Sequence, residues 1–351
     1  MPWPTKKLGE IISFEKGKKM AVANDGEPYI GIDGLRTNLY AVYTQEKNGV
    51  RCKQDDVLLV WDGAHAGTVG TGLRGFVGST VVKVLHHNSL ENKFLFYLLK
   101  LFQEKIRAAA QGAAIPHLSK AFINNLKIPL PSLKIQKQIV ERLDKIAEAQ
   151  KLQGELIQKA DELFQSLLHQ ELNPAGKDWE MKKLGEVLEY EQPTKYLVIS
   201  TDYKDEYPIP VLTAGKSFVL GNTNEKDGIF PKKKLPVIIF DDFTTAIKFV
   251  NFPFKVKSSA MKILHAKKNE ADIRFMFYKM LTIKFSHDQH KRYWISECSN
   301  LKIPLPSLKV QKQIVAKLSA AQEYKSQLLA QKSKLKELFD SVLSKSMHSK
   351  L

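Results

Sequence analysis

Sixteen residues, NLKIPLPSLKIQKQIV at Asn125–Val140, return as NLKIPLPSLKVQKQIV at Asn300–Val315. The offset is 175 residues, and Ile135 against Val310 is the single change. A repeat of this kind governs every later inference about architecture, so it is read before any individual element. Glu162-Leu163-Phe164-Gln165-Ser166 returns as Glu337-Leu338-Phe339-Asp340-Ser341, and Lys6-Lys7-Leu8-Gly9-Glu10 matches Lys182-Lys183-Leu184-Gly185-Glu186, with Trp3 and Trp179 just ahead. Between these copied ends the two halves diverge. One scaffold kept in duplicate around two different inserts explains the contrast; simple drift of an old duplication would have blurred the frame together with the middles.

The copied stretch is a helix entry. Pro129 and Pro131 favour an extended lead-in, since proline lacks an N–H and biases its predecessor away from helix. Ser132 and Ser307 stand where N-caps belong. Ile139, Leu143, Ile146, Ile157, Phe164 and, in the second copy, Ile314, Leu318, Leu328, Leu335 and Phe339 then fall at alternating four- and three-residue steps. Gln150 and Gln153 fill two places on the first grid, Lys325 and Lys332 two on the second. That is a heptad seam. A helix over 133–172 would be roughly 60 Å long at ~1.5 Å per residue. Two such helices are expected to lie antiparallel; the simpler alternative is that each packs on its own globular module. The expected segments are 1–132, 133–172, 173–307 and 308–351.

Both inserts read as mixed α/β. The apolar run Val57–Trp61 between Asp55-Asp56 and Asp62-Gly63 is a buried strand and turn, Val81–Leu85 a second strand, and Phe94–Arg107 a helix. The second module repeats the order with Val237–Phe240, Met261–Leu264 and a helix containing Phe275–Tyr278. The fold class is therefore α/β (α+β) modules in tandem, joined by two long antiparallel coiled-coil helices in an internal pseudo-two-fold repeat.

Charge directs attention to an anionic partner. The chain carries a formal +17, of which 1–132 holds +6, 133–172 holds −1, 173–307 holds +6 and 308–351 holds +6. Nucleic acid is the first candidate and an anionic membrane surface the second. No stretch approaches the ~20 apolar residues of a spanning helix. The N-terminal residues lack a signal-peptide core. Two lone cysteines, Cys52 and Cys298, suit a reducing cytosol, so a cytoplasmic location is expected. Candidate DNA contacts are Lys16, Lys18, Lys19, Arg36, Asn38 and His65 in the first module. In the second they are Lys216, Asn222, Asn224, Lys232, Lys233, Thr244, Thr245, Lys291 and Arg292.

Several catalytic signals are refused. Val211–Ser217 ends like a P-loop, but the first glycine of that motif is replaced by Pro210. Asp241-Asp242 reads as a turn, and His287 and His290 lack a third metal-ligand signature. No adenine-methyltransferase tetrapeptide or nucleophile elbow is present. No catalytic residue and no metal site are expected.

The paired segments 126–139 and 301–314, with the long helix after each, resemble the specificity subunit of type I restriction–modification systems. So do Asp56–Gly63 with Gly78-Ser79-Thr80, and Phe240–Thr245 with Ser258-Ser259-Ala260. The likeness spans essentially the whole chain. It implies that each module is a target-recognition domain reading one half of a split double-stranded DNA sequence, and that the helices set the spacing. It also implies docking of methyltransferase subunits, with a restriction subunit joining the complex. S-adenosylmethionine, ATP and magnesium would belong to those partners, not to this chain. The rival reading is a stand-alone, repressor-like DNA-binding protein with a coiled-coil interface.

Overall fold

A run of four apolar residues with no polar break can be a strand only if both of its faces are covered. Val57–Val60 meets that condition. The computed structural model describes residues 3–110, 116–213, 217–283 and 293–347. The first module comprises β1 (Thr5–Lys7), β2 (Ile12–Lys16), β3 (Glu27–Ile30), α1 (Ile32–Thr37), β4 (Tyr43–Thr44), β5 (Arg51–Cys52), β6 (Val57–Val60), β7 (Val69–Gly70), β8 (Gly75–Val77), β9 (Val81–His86), α2 (Asn92–Ala108), α3 (Lys120–Asn125) and β10 (Lys127–Pro129), and α4 (Leu133–Leu172) follows. Alternation along β6 sends Val57 and Leu59 into one apolar core and Leu58 and Val60 into another. One sheet, ordered β2-β9-β6-β7, thus separates two cores.

The second module comprises β11 (Glu180–Lys183), α5 (Leu184–Val187), β12 (Leu188–Glu191), β13 (Ile209–Leu212), β14 (Val219–Thr223), β15 (Val237–Asp241), β16 (Ile247–Val250), β17 (Lys255–Val256), β18 (Met261–Ala266), α6 (Ile273–Leu281), α7 (Tyr293–Ser296) and β19 (Lys302–Leu305), before α8 (Leu308–Met347). Its central sheet has the order β12-β18-β15-β16, strand for strand the order of the first module. β15 divides its side chains in the same way: Ile238 and Phe240 enter one core, Val237 and Ile239 the other. A second sheet, β4-β3-β8-β5 in one module and β14-β13-β17 in the other, contains a parallel pair in each case, β3 with β8 and β13 with β17. The inserts have lost their sequence likeness and kept their topology.

The copied ends close each module identically. β1 pairs antiparallel with β10, and β11 with β19. Leu8 and Leu184, both 0% exposed, donate backbone N–H bonds to the carbonyls of Leu126 and Leu301. Gly9 and Gly185 are kept because a Cβ there would lie 2.6 Å from Asn124 Cβ or 3.1 Å from Ser299 Cβ.

The chain divides into two compact units, Met1–Glu155 with Leu329–Leu351, and Leu156–Leu328. The division cuts across both long helices. Within the first unit Gln150 Nε2 donates to Leu335 O and Gln153 Nε2 to Gln331 Oε1. Within the second, Lys325 meets Asp161 and Lys317 meets Glu171. Rising numbers on one helix meet falling numbers on the other, so the segments run antiparallel. Ile139, Leu143, Phe164, Ile314, Leu318 and Leu328 are buried; Ile146, Ile157, Leu335 and Phe339 are partly buried.

The seam is not the helices' whole occupation. Ile139, Val140 and Leu143 of α4 join Leu343 and Met347 of α8 in the core under α2. Phe164, Leu168 and Leu172 join Ile314 and Leu318 in the core under α6. Pairing with each other and packing on a module therefore occur together. At about 1.5–3 kcal/mol for each fully buried large apolar side chain, these contacts are a substantial part of each unit's stability.

Candidate nucleic-acid interface

In the first module the ends of β2 and β6 form one edge. Trp61 N–H bonds to Thr80 O, Gly17 N–H to Val81 O and Lys18 N–H to Val77 O, drawing residues 16–19, 61–68 and 78–81 together. Gly63 (φ +100°) donates its N–H to Pro116 O at 2.9 Å, which brings in residues 116–118. Lys16, Lys18 and Lys19 are exposed here and His65 is partly buried, its carbonyl accepting from both Thr68 N–H and Thr68 Oγ1.

Asp62 organises this edge. Lys16 Nζ donates to Asp62 Oδ2 at 2.8 Å, and His117 Nδ1 lies 2.7 Å from Asp62 Oδ1. Burial raises the Asp62 pKa, but the Lys16 and His117 hydrogen bonds outweigh it and hold the carboxyl below its usual range. Arg36 and Asn38 sit apart, at the end of α1. Arg36 pairs with Asp33 at 3.3 Å, and Asn38 closes the helix in the left-handed region (φ 55°). Exposed Leu39 and Tyr40 follow, and Tyr40 Oη accepts from the Arg74 N–H. His117 and Arg74 escaped the sequence reading, because only a contact 55 residues long for one and a backbone bond for the other places them here.

In the second module the equivalent turn is 242–246. Asp242 N–H bonds to Ala260 O as Trp61 does to Thr80, and Asp242 O accepts from Tyr293 N–H as Trp61 O does from Leu118. Asp241-Asp242 is a turn device: Asp241 accepts from Phe243 N–H and Thr244 Oγ1, while Asp242 accepts from Trp294 N–H and lies 3.4 Å from Lys262 Nζ. Thr244 is exposed. Thr245 is 6% exposed with φ 55°, and its hydroxyl bonds to Thr244 O, so it shapes the turn.

The other described candidates of this module lie on separate elements. Asn222 lies on β14 with its Nδ2 donating to Asp205 O, and exposed Asn224 follows. Lys232 and Lys233 are exposed on a single helical turn beside Lys234, which pairs with Glu191 of the other sheet at 2.9 Å. Burial of Glu191 opposes ionisation, but its bonds from Lys234 and Tyr196 hold its pKa low. Lys216, Lys291, Arg292, His287 and His290 lie outside the described residues. Two lysines that the sequence reading passed over ride on aromatic rings: Lys248 over Phe218 and Lys257 over Tyr203, each at 5.9 Å. Among the described residues no group of three or more His, Cys, Asp or Glu could hold a metal ion, and no helix is long and apolar enough to cross a membrane.

The family model "Type I restriction modification DNA specificity domain" matches residues 1–162 and again 176–337. The specificity subunit of the Escherichia coli type I restriction enzyme EcoR124I/EcoR124II is 46% identical over 175 residues, covering 47% of this chain and 43% of that protein. That match therefore spans less than half the length of the relative. The MjaVIII specificity subunit of Methanocaldococcus jannaschii is 28% identical over 410 aligned positions, covering 99% of this chain and 91% of the relative. The crystal structure of a type I system S subunit from M. genitalium superposes with a TM-score of 0.69 at 18% identity, covering 98% of this chain and 96% of that one. A chain from a study of type I R-M complex assembly and conformational transition gives 0.62 at 18% identity, with 100% and 98% covered.

Proposed function

Because the chain belongs to the type I restriction–modification DNA specificity family, we propose that each module reads one half of a bipartite DNA target, while the helical frame docks methyltransferase subunits and sets the distance between half-sites. The chain is a recognition component and not an enzyme. The stand-alone repressor reading is set aside, since the family match is to subunits of a larger system.

One observation carries the docking half of this reading. Inside the sixteen-residue repeat, Lys134, Lys137 and Gln138 are exposed, and so are Lys309, Lys312 and Gln313. Packing within the chain explains why Ile139 and Ile314 are retained; it does not explain identical side chains facing solvent. Two copies of one exposed surface fit two copies of one partner. In this reading S-adenosylmethionine, ATP and magnesium serve the methyltransferase and restriction subunits, and the protein works in the cytoplasm beside its DNA.

Co-expression with the neighbouring methyltransferase, followed by mapping of methylated adenines, tests the function directly. Two half-sequences at a fixed gap are expected; methylation without a bipartite motif would overturn the reading. Reversing charge in both copies, Lys137→Glu with Lys312→Glu, should abolish co-purification of the methyltransferase while leaving the fold intact. Wild-type co-purification would remove the frame from docking.

A further inference from the structure

Residues 16–20, 61–68, 78–81 and 116–118, which meet along the first module's basic edge, contain three lysines, two histidines and one acid, Asp62. An anion on a surface that meets DNA repels phosphate and lowers affinity, so its position there calls for a reason. Holding the fold together is not that reason. The segments are already joined by backbone bonds, Gly63 N–H to Pro116 O at 2.9 Å and Leu118 N–H to Trp61 O at 3.0 Å. An ion pair with an exposed lysine adds little stability.

The carboxylate lies beneath its partners. The Asp62 side chain is 14% exposed, against 56% for Lys16 and 58% for His117, and each of its oxygens holds one of them. A free lysine seeks phosphate anywhere on a duplex, with no regard for sequence. A lysine whose charge is offset and whose direction is fixed gains less from phosphate and keeps its remaining N–H groups for an acceptor in a set place. Guanine O6 and N7 in the major groove are such acceptors.

We propose that Asp62 is a specificity-determining positioning residue: it withholds Lys16 and His117 from indiscriminate phosphate contact and aims them at base edges of one half-site. This rests on the reading of the modules as DNA readers. Among the described residues the second module shows no counterpart of this device. At the corresponding turn of the second, exposed Phe243 stands in the place of Asp62, and Asp242, which matches Trp61, is 1% exposed and engaged by Lys262 and the Trp294 N–H.

The test uses the chain in complex with its methyltransferase subunits, and four duplexes: the mapped target, the target with either half scrambled, and a fully scrambled one. Dissociation constants are measured across a salt series. Asp62→Asn should bind the fully scrambled duplex several-fold tighter and steepen the log Kd against log salt slope by about one, the signature of one released lysine. It should also lose about tenfold of discrimination at one half-site and none at the other. Adding Lys16→Ala should remove the extra slope without restoring discrimination. Lys16→Met alone, which leaves Asp62 and His117 in contact, should lose discrimination at the same half-site, and serves if Asp62→Asn proves unstable in a thermal melt. Equal weakening on target and scrambled DNA would reduce Asp62 to a structural staple, and intact discrimination at both half-sites would overturn the proposal. A wild-type complex that fails to discriminate at all would instead bring down the underlying reading, and the two failures are distinguishable.

Discussion

Gln136 and Gln311 make the same three hydrogen bonds in two different modules. Gln136 Oε1 accepts from Glu91 N–H, and its Nε2 donates to Ser89 O and Pro131 O. Gln311 Oε1 accepts from Asp272 N–H, and its Nε2 donates to Glu270 O and Pro306 O. Both side chains are 0% exposed. Glu91 and Asp272 are the N-caps of α2 and α6, so each glutamine ties a long helix to the start of a shorter one and to the proline entry segment.

Removing that amide strands buried backbone groups. Gln311→Leu, close in volume, leaves the Asp272 N–H and the Glu270 and Pro306 carbonyls to find other partners, at a cost of about 2–4 kcal/mol. Gln136→Leu should cost a similar amount. Urea denaturation checks both, and a loss below about 0.5 kcal/mol for either would show that water replaces the clamp.

The two thiols should be inert in the native protein. Burial, partly offset by a backbone hydrogen bond at Gly75, pushes Cys52 up to about 11. Burial, reinforced by Glu297 and Asp242, pushes Cys298 up to about 12. Thiolate is the reactive form. A disulfide reagent at mildly alkaline pH should label neither cysteine in buffer and both in concentrated urea; prompt native labelling would contradict the burial.

Acid should weaken the second module through the Glu191 cluster. Glu191 has a folded pKa below its unfolded one, so its contribution is full above about 4.5 and is lost as pH falls through the folded value. His265, 3.4 Å away, is also depressed, first by burial, so protonation of the unfolded chain adds to the loss below about 6.5. Lys234→Met removes the main hydrogen bond that lowers Glu191. Its Tm should sit below wild type near neutrality and converge with it in acid; parallel Tm curves would rule out the linkage.

Inserting one heptad into each long helix should move the half-sites apart. Seven residues at ~1.5 Å add about 10 Å, or about three base pairs of B-DNA at ~3.4 Å. Methylation mapping should return the same two half-sequences with a longer gap. An unchanged gap would remove the helices from spacing.

The frame was legible because its constraints are local and stated twice. Proline entry, serine cap and heptad steps all lie within a few turns of chain, and Gln150 and Gln153, the polar members of the grid, are the ones that bond to α8. The strand character of 57–60 and 237–240 was legible for the same reason. The pairing of β3 with β8 was not, since parallel partners lie far apart in sequence and no local pattern links them. The same holds for Asp62: a run beginning Asp-Gly signals a turn, but nothing local announces that Lys16 and His117 will meet there. Leu343 and Met347 of α8 lie off the heptad steps, and heptad spacing does not reveal when the same helix also covers a sheet module.

Leu343 and Met347 belong to the core of the first module, and Trp3 Nε1 donates to Ser346 O. The order of synthesis is therefore the reverse of the order of completion. A ribosome emits the first module early and must translate the whole second module before supplying the residues that seal the first. The second unit, drawn from the continuous stretch Leu156–Leu328, has all its parts sooner. Until α8 is supplied, the core of the first module stays open on the nascent chain, the condition under which chaperones act.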